Sequence, residues 1–230
     1  NMKQNGFTLA EILITIGIIG VIAAITLPVL IADKRAKELE TALKKNASVL
    51  QQTISMVMLN DGIEPSPQNL ASRELKNKIK PYLNVLKDCG YGTEFASCVP
   101  NTGYESNKDA KNTYKTYNKS KNVSYSMLDD GQLLLIDGSL LLIENSNPEF
   151  EQVLISVDVN GAAKAPNVWG QDLFTFELTK TGKLMPMGAV GTAYTDDKTY
   201  CSTTSSNNLN GIGCTYKALT EPDYFKKLPR

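Results

Sequence analysis

The sequence predicts an α+β fold in which one long N-terminal α-helix, transmembrane in its first half, packs on an antiparallel β-sheet. Three observations predict it. Residues 12–32 are free of charge and largely apolar, and apolar positions then recur every three or four residues as far as Met58. From Val123 onward, short apolar runs are separated by Asp-Gly, Asn-Gly and Thr-Gly pairs. The first two patterns read as helix, the third as strands joined by tight turns.

Composition closes several routes to chemistry. The 230 residues hold 24 basic and 24 acidic side chains and no histidine. Zero net charge argues against coating nucleic acid by bulk charge. Without histidine there is no Ser-His-Asp or Cys-His catalysis and no His-containing zinc site. No Gly-rich phosphate loop of Walker or Rossmann type appears. The adjacent pairs Asp129-Asp130 and Asp196-Asp197 read as turn residues, and neighbours on a strand point to opposite faces. No enzyme activity is expected.

The helix comes first. Residues 2–6 are short and polar with one positive charge, Lys3, and the charge-free run ends at Asp33-Lys34-Arg35. At ~1.5 Å per residue that run spans the ~30 Å core of a bilayer. A secretory signal would have a shorter apolar region of about 7–15 residues and a small-x-small cleavage site, so a retained membrane helix is expected. Beyond it Ala36, Leu39, Leu43, Ala47, Leu50, Ile54 and Met58 mark one helix face, with Lys37, Glu38, Lys44, Lys45 and Gln51 on the others. Asp61-Gly62 supplies the stop. The helix is therefore expected over residues 7–60, on the order of 80 Å long.

The globular part follows. A short helix is expected within residues 72–86, around Leu75, Ile79, Tyr82, Leu83 and Leu86. Strands are expected at Val123, Tyr125 and Met127, then over residues 133–136, 140–143, 153–157, 173–178 and 184–187. Asp130-Gly131, Asp137-Gly138, Asn160-Gly161 and Thr181-Gly182 provide the turns.

The run Lys3-Gln4-Asn5-Gly6-Phe7-Thr8-Leu9-Ala10-Glu11, followed by the apolar stretch, resembles the class III signal of type IV pilins and type II secretion pseudopilins. The resemblance covers about the first 30 residues and implies a pilin-like fold. It also implies cleavage by prepilin peptidase between Gly6 and Phe7, N-methylation of Phe7, and a role for Glu11 in filament assembly. Gly20 and Pro28 resemble positions where the helix loosens inside assembled filaments; proline removes a backbone donor and glycine weakens a helix locally. The domains implied are a leader at 1–6, a transmembrane and assembly helix at 7–32, its amphipathic continuation at 33–60, and a globular domain at 61–230.

The partners implied are other copies of the chain or related pilins, prepilin peptidase and inner-membrane assembly machinery. The chain would sit in a bacterial inner membrane with a single pass and a periplasmic globular domain, then in a surface or periplasmic filament. The expected function is that of a structural subunit of a type IV pilus or pilus-like filament; a type II secretion pseudopilin and, from another class, a membrane-tethered module binding calcium, glycan or DNA are the alternatives.

Cys89, Cys98, Cys201 and Cys214 all follow the apolar run, where an oxidising compartment would let disulfides persist. Three pairings are open, of which Cys89 with Cys98 and Cys201 with Cys214 is the sequence-local one. The Cys201–Cys214 segment resembles the disulfide-bounded C-terminal region of many pilins. Zinc is disfavoured because no tight C-x-x-C pair is present.

No cofactor is expected; Asp158, Asn160 and Asp172 nevertheless offer hard oxygen ligands suited to calcium. The segment around them resembles a strand-turn signature of pilin-like proteins, and major pseudopilins bind calcium in a C-terminal loop. The preferred reading is a turn whose Asp and Asn side chains bond their own backbone. Finally, Lys108, Lys111, Lys115, Lys119 and Lys121 are interleaved with Tyr104, Tyr114 and Tyr117. That pattern suits single-stranded nucleic acid, but a solvated loop is the preferred reading and nucleic acid is not an expected partner.

Overall fold

The apolar run and the amphipathic stretch after it join in one helix, α1, Leu9–Asp61, which continues through Pro28 and ends where Gly62 adopts a φ of +66°. In the computed structural model, residues 8–62, 64–146 and 152–229 are described. The chain divides into two compact units, Asn1–Glu38 and Leu39–Arg230.

In the first unit α1 is apolar on every side over residues 12–32. It is the one helix among the described residues long and apolar enough to cross a membrane, with an 18-residue stretch whose mean hydropathy is 2.6. The two threonines among residues 12–32 bond back to the helix backbone. Thr15 Oγ1 donates to the Glu11 carbonyl at 2.6 Å and Thr26 Oγ1 to the Ile22 carbonyl at 2.9 Å. Such i−4 bonding leaves no hydroxyl seeking water in an apolar setting.

In the second unit the rest of α1 turns one stripe inward: Leu39, Leu43, Leu50, Ile54 and Val57, with Asn46 and Thr53 between them, are buried. This is the i, i+3, i+4 spacing of a helix lying on a core. Ala47 and Met58, expected on that stripe, fall at its margin, and Met58 is exposed. Gln51 Nε2 donates to the Leu184 carbonyl at 2.6 Å, and Lys45 pairs with Asp137 at 2.7 Å, tying this helix segment to the sheet.

The sheet is an antiparallel meander of six strands in sequence order: β1 Val85–Asp88, β2 Gly131–Leu135, β3 Leu140–Glu144, β4 Val153–Asp158, β5 Leu173–Leu178 and β6 Leu184–Pro186. The α+β arrangement, a long helix with its second half against an antiparallel sheet, is the expected one. Register fixes which side chains share a face. Leu141, Ile143, Ile155, Val157, Phe174 and Phe176 alternate with Leu142, Glu144, Ser156, Asp158, Leu173 and Thr175. The first set is wholly apolar. The second mixes apolar with polar groups, yet Ser156, Asp158 and Thr175 are also fully buried. Long loops cover that side, bringing Tyr114, Tyr125, Leu128, Trp169, Met187 and Ile212 onto Leu140, Leu142, Leu154 and Leu173.

Polar side chains stitch the covering loops down. Gln132 accepts from Val99 N at 2.9 Å and donates to Val99 O at 2.7 Å, reproducing a backbone ladder with one side chain. Trp169 Nε1 donates to Thr175 Oγ1 at 2.8 Å, and Thr175 N donates to Thr215 Oγ1 at 2.8 Å. Buried polar groups that are paired in this way avoid the cost of burial without a partner.

Two local expectations are corrected. Residues 123–127 do not form a strand; Tyr125–Met127 is a 3-10 turn, and Tyr125 uses its hydroxyl to accept from Tyr114 N at 2.9 Å. The partner of β2 is instead β1, Val85–Asp88. The expected 72–86 helix is correspondingly shorter: α2 covers Leu75–Ile79, and a 3-10 turn at Lys80–Tyr82, with Pro81 inside it, leads into the strand.

Candidate functional site

The start of α1 is the first candidate. Gly6 and Phe7 lie outside the described residues. Thr8 and Glu11 form a capping box. Thr8 N and Thr8 Oγ1 both donate to Glu11 Oε2 at 2.8 Å, while Glu11 N donates back to Thr8 Oγ1 at 3.3 Å. Glu11 is the only charged residue between Lys3 and Asp33. Beyond it, exposed Leu, Ile and Val side chains run from Ile12 to Ile31. Gly20 and Pro28 are within α1, and a Cβ added at Gly20 would meet nothing within 4 Å. The geometry here suits burial in something outside the chain and offers one carboxylate at the helix start.

The cysteines form two bridges, Cys89–Cys98 and Cys201–Cys214, with Cα separations of 5.4 and 5.0 Å. The second anchors the C-terminal loops, whose Cys214 presses on Gly170; a Cβ there would lie 2.8 Å from the sulfur, and φ is +79°. Only glycine fits that approach.

Asp158 and Asp172 are brought together across β4 and β5, each fully buried. Asp158 Oδ1 accepts from Gly161 N at 2.8 Å and Asn160 N at 3.2 Å, and its Oδ2 accepts from the Tyr114 hydroxyl at 2.6 Å. Asp172 accepts from Asn167 N at 2.8 Å and Val168 N at 2.7 Å, one on each oxygen. Burial, with the neighbouring Asp172 charge adding to it, pushes the Asp158 carboxyl up to about 7. Burial likewise drives the Tyr114 hydroxyl well above its ordinary range.

Asn160 donates to the Lys164 and Ala165 carbonyls at 3.3 and 3.2 Å. Its Oδ1, and that of Asn167, are buried without a hydrogen-bond partner. The donor chemistry of this loop suits a hard cation. Both carboxylates, however, already satisfy their own turns, and every one of their oxygens accepts a bond from the protein.

The lysine-rich loop offers little to a nucleic acid. Tyr114 and Tyr117 are buried, which leaves Tyr104 as the one exposed ring of the three. Lys108 pairs with Glu105 at 3.0 Å, and Lys115 donates to Asn122. Stacking needs accessible faces, and two of the three are spent on the core.

One concentration of charge was not foreseen. Asp129, Asp130 and Glu144 bring carboxylate oxygens within 4.8 Å of one another. They line a cleft of about 450 Å³ together with Arg73, Tyr104, Met127 and Tyr194. Asp130 is nearly fully buried and pairs with Arg73 Nε at 2.8 Å; Asn101 donates to Asp129 at 2.7 Å. Burial raises the Asp129 carboxyl and pushes that of Glu144 up to about 7. Residues 129 and 130 sit in a bend before β2 rather than on a strand, so the two carboxylates share one side. Their adjacency was visible in the sequence, whereas Arg73 and Glu144 arrive by tertiary packing.

Residues 1–27 match the prokaryotic N-terminal methylation motif. The chain is 29% identical over 108 residues to the type II secretion system core protein G of Pectobacterium carotovorum subsp. carotovorum, an alignment covering 43% of this chain and 69% of that protein. No solved structure matches the chain.

Proposed function

We propose that this chain, which carries the prepilin-type methylation motif at the head of a long apolar helix, is a pilin-like structural subunit that polymerises through that helix. The observation that carries the reading is the placement of Glu11. It is the sole charge in a stretch otherwise built for apolar surroundings, and it lies in the first turn of α1. In this reading prepilin peptidase removes residues 1–6 and the new amine of Phe7 is methylated. The helix holds the subunit in the inner membrane with its globular unit on the periplasmic side. Glu11 then pairs with the amine of a neighbouring subunit when helices pack together, because a carboxylate enclosed without a partner is costly. The role is structural, with no turnover assigned to the acid cleft. The 158–172 loop is read as a self-bonded turn that needs no ion.

A second reading, a pseudopilin of a type II secretion system, is favoured by the similarity to core protein G. The two share processing and differ in the machine served. Intact mass of the protein from its native membrane tests the common part. The expected mature chain begins at methylated Phe7, and a chain retaining residues 2–6, or cut beyond Ala32, contradicts it. Loss of secreted enzymes on deleting the gene, without loss of surface pili, would select the pseudopilin.

A further inference from the structure

The capping box at the start of α1 deepens the reading above and rests on it. Glu11 does not wait for a neighbour as a bare charge. Its Oε2 takes two bonds from one residue, Thr8 N and Thr8 Oγ1, both at 2.8 Å. The same hydroxyl accepts from Glu11 N at 3.3 Å, so the side chain of Thr8 closes the box from both directions. The carboxylate is thereby folded back on the first turn instead of extending along the apolar flank formed by Ile12, Leu13 and Ile14. No other charged side chain lies between Lys3 and Asp33 to do this work. After cleavage at Gly6 only Phe7 would precede Thr8, so the box stands directly beside the new amine-bearing residue.

We propose that Thr8 is a positioning residue for Glu11. Its hydroxyl holds the carboxylate at the helix start while the subunit is alone in the membrane. Assembly is then an exchange of partners at a fixed place, with the amine of the next subunit taking over from Thr8. The hydroxyl is the part that can be removed by substitution, because the backbone N–H remains in any variant. Valine keeps the branched shape and loses the hydroxyl; serine keeps the hydroxyl.

The test uses the full-length chain in membranes carrying its own assembly machinery, comparing wild type, Thr8→Val, Thr8→Ser and Glu11→Ala. Intact mass first confirms that every variant is cut and methylated alike. Two readouts follow: filament yield per mature subunit, and labelling of Glu11 by the membrane-permeant reagent dicyclohexylcarbodiimide in unassembled subunits. Losing one bond to a charged group corresponds to about tenfold. Thr8→Val is therefore expected to lower filament yield and raise labelling of Glu11 by about that factor, with Thr8→Ser close to wild type in both. Unchanged labelling in Thr8→Val overturns the proposal even if assembly falls, because the residue would then act only on helix stability. Unchanged assembly in Thr8→Val overturns it as well. If Glu11→Ala itself assembles normally, the polymerisation reading fails, and the labelling comparison still decides whether Thr8 holds the carboxylate.

Discussion

The two ends of α1 are built from the same residue types and treated oppositely. Leu13 and Ile14, near its start, are each 62% exposed, whereas Leu43 and Leu50, further along, are 0% and 1% exposed. The early stretch is apolar all round and ties its threonines to its own carbonyls; the later one is apolar on a single stripe and polar elsewhere. A stripe is what a helix needs to cover one face of a sheet. Apolar residues on every side need surroundings that the chain does not itself supply, which a bilayer or a bundle of identical helices would provide. The difference teaches that the stability of the folded unit and the proposed assembly draw on separate stretches of one element.

The largest expected effect separates them at one residue type. Leu43→Ala, in a fully enclosed site, should destabilise the folded unit by about 2–5 kcal/mol. Leu13→Ala should leave the melting temperature of the detergent-solubilised chain unchanged. Equal losses at both positions would break the comparison.

Next comes the C-terminal staple. Removing the Cys201–Cys214 bridge by paired Cys→Ser substitution should cost about 2–4 kcal/mol. Hydrogen exchange should show loosening around residues 201–214 and no change in the first half of α1. Exchange rising equally along α1 would mean that its two ends are not energetically separate.

A smaller effect is set by pH. Burial pushes the Glu144 carboxyl up to about 7, above the ~4.3 of an unfolded glutamate. A folded group that binds its proton more tightly than the unfolded one adds stability that is full below the unfolded value and is lost as pH rises through the folded one. Wild type should therefore lose melting temperature relative to Glu144→Gln between about pH 4.5 and 7.5, while the far-ultraviolet signal of the first stretch stays constant. A wild type that gains on the variant over this range would reverse the assigned environment of Glu144.

The smallest expected effect is none. Excess calcium should leave the melting temperature of metal-free protein unchanged, because every carboxylate oxygen of Asp158 and Asp172 already accepts a bond from its own turn or from the Tyr114 hydroxyl. A clear rise would give Asn160 Oδ1 and Asn167 Oδ1 a ligand and assign the loop to an ion.

Legibility in the sequence followed the range of the interactions. The long helix and strands β2 to β6 rest on local periodicity and on pairs such as Asp137-Gly138, which turns β2 into β3. Strand β1 could not be read the same way. Val85–Asp88 is four residues long, follows Pro81, and exists because β2 offers it an edge. Val123, Tyr125 and Met127 alternate like a strand, yet Tyr125 is held by a hydroxyl bond to Tyr114 N, which no period encodes. The acid cleft needed Arg73 and Glu144 to meet Asp129 and Asp130 from distant parts of the chain. The capping box Thr8-Leu9-Ala10-Glu11 was legible in principle as a Thr-x-x-Glu spacing.

The central claim is that the early stretch of α1 exists for polymerisation and that Glu11 directs it. The most direct measurement is to count filaments formed by Glu11→Ala whose membrane level and mature N-terminus equal those of wild type. The account predicts that assembly is nearly abolished while insertion, processing and the melting temperature of the folded unit stay the same. Filaments of normal number and length from that variant would contradict it.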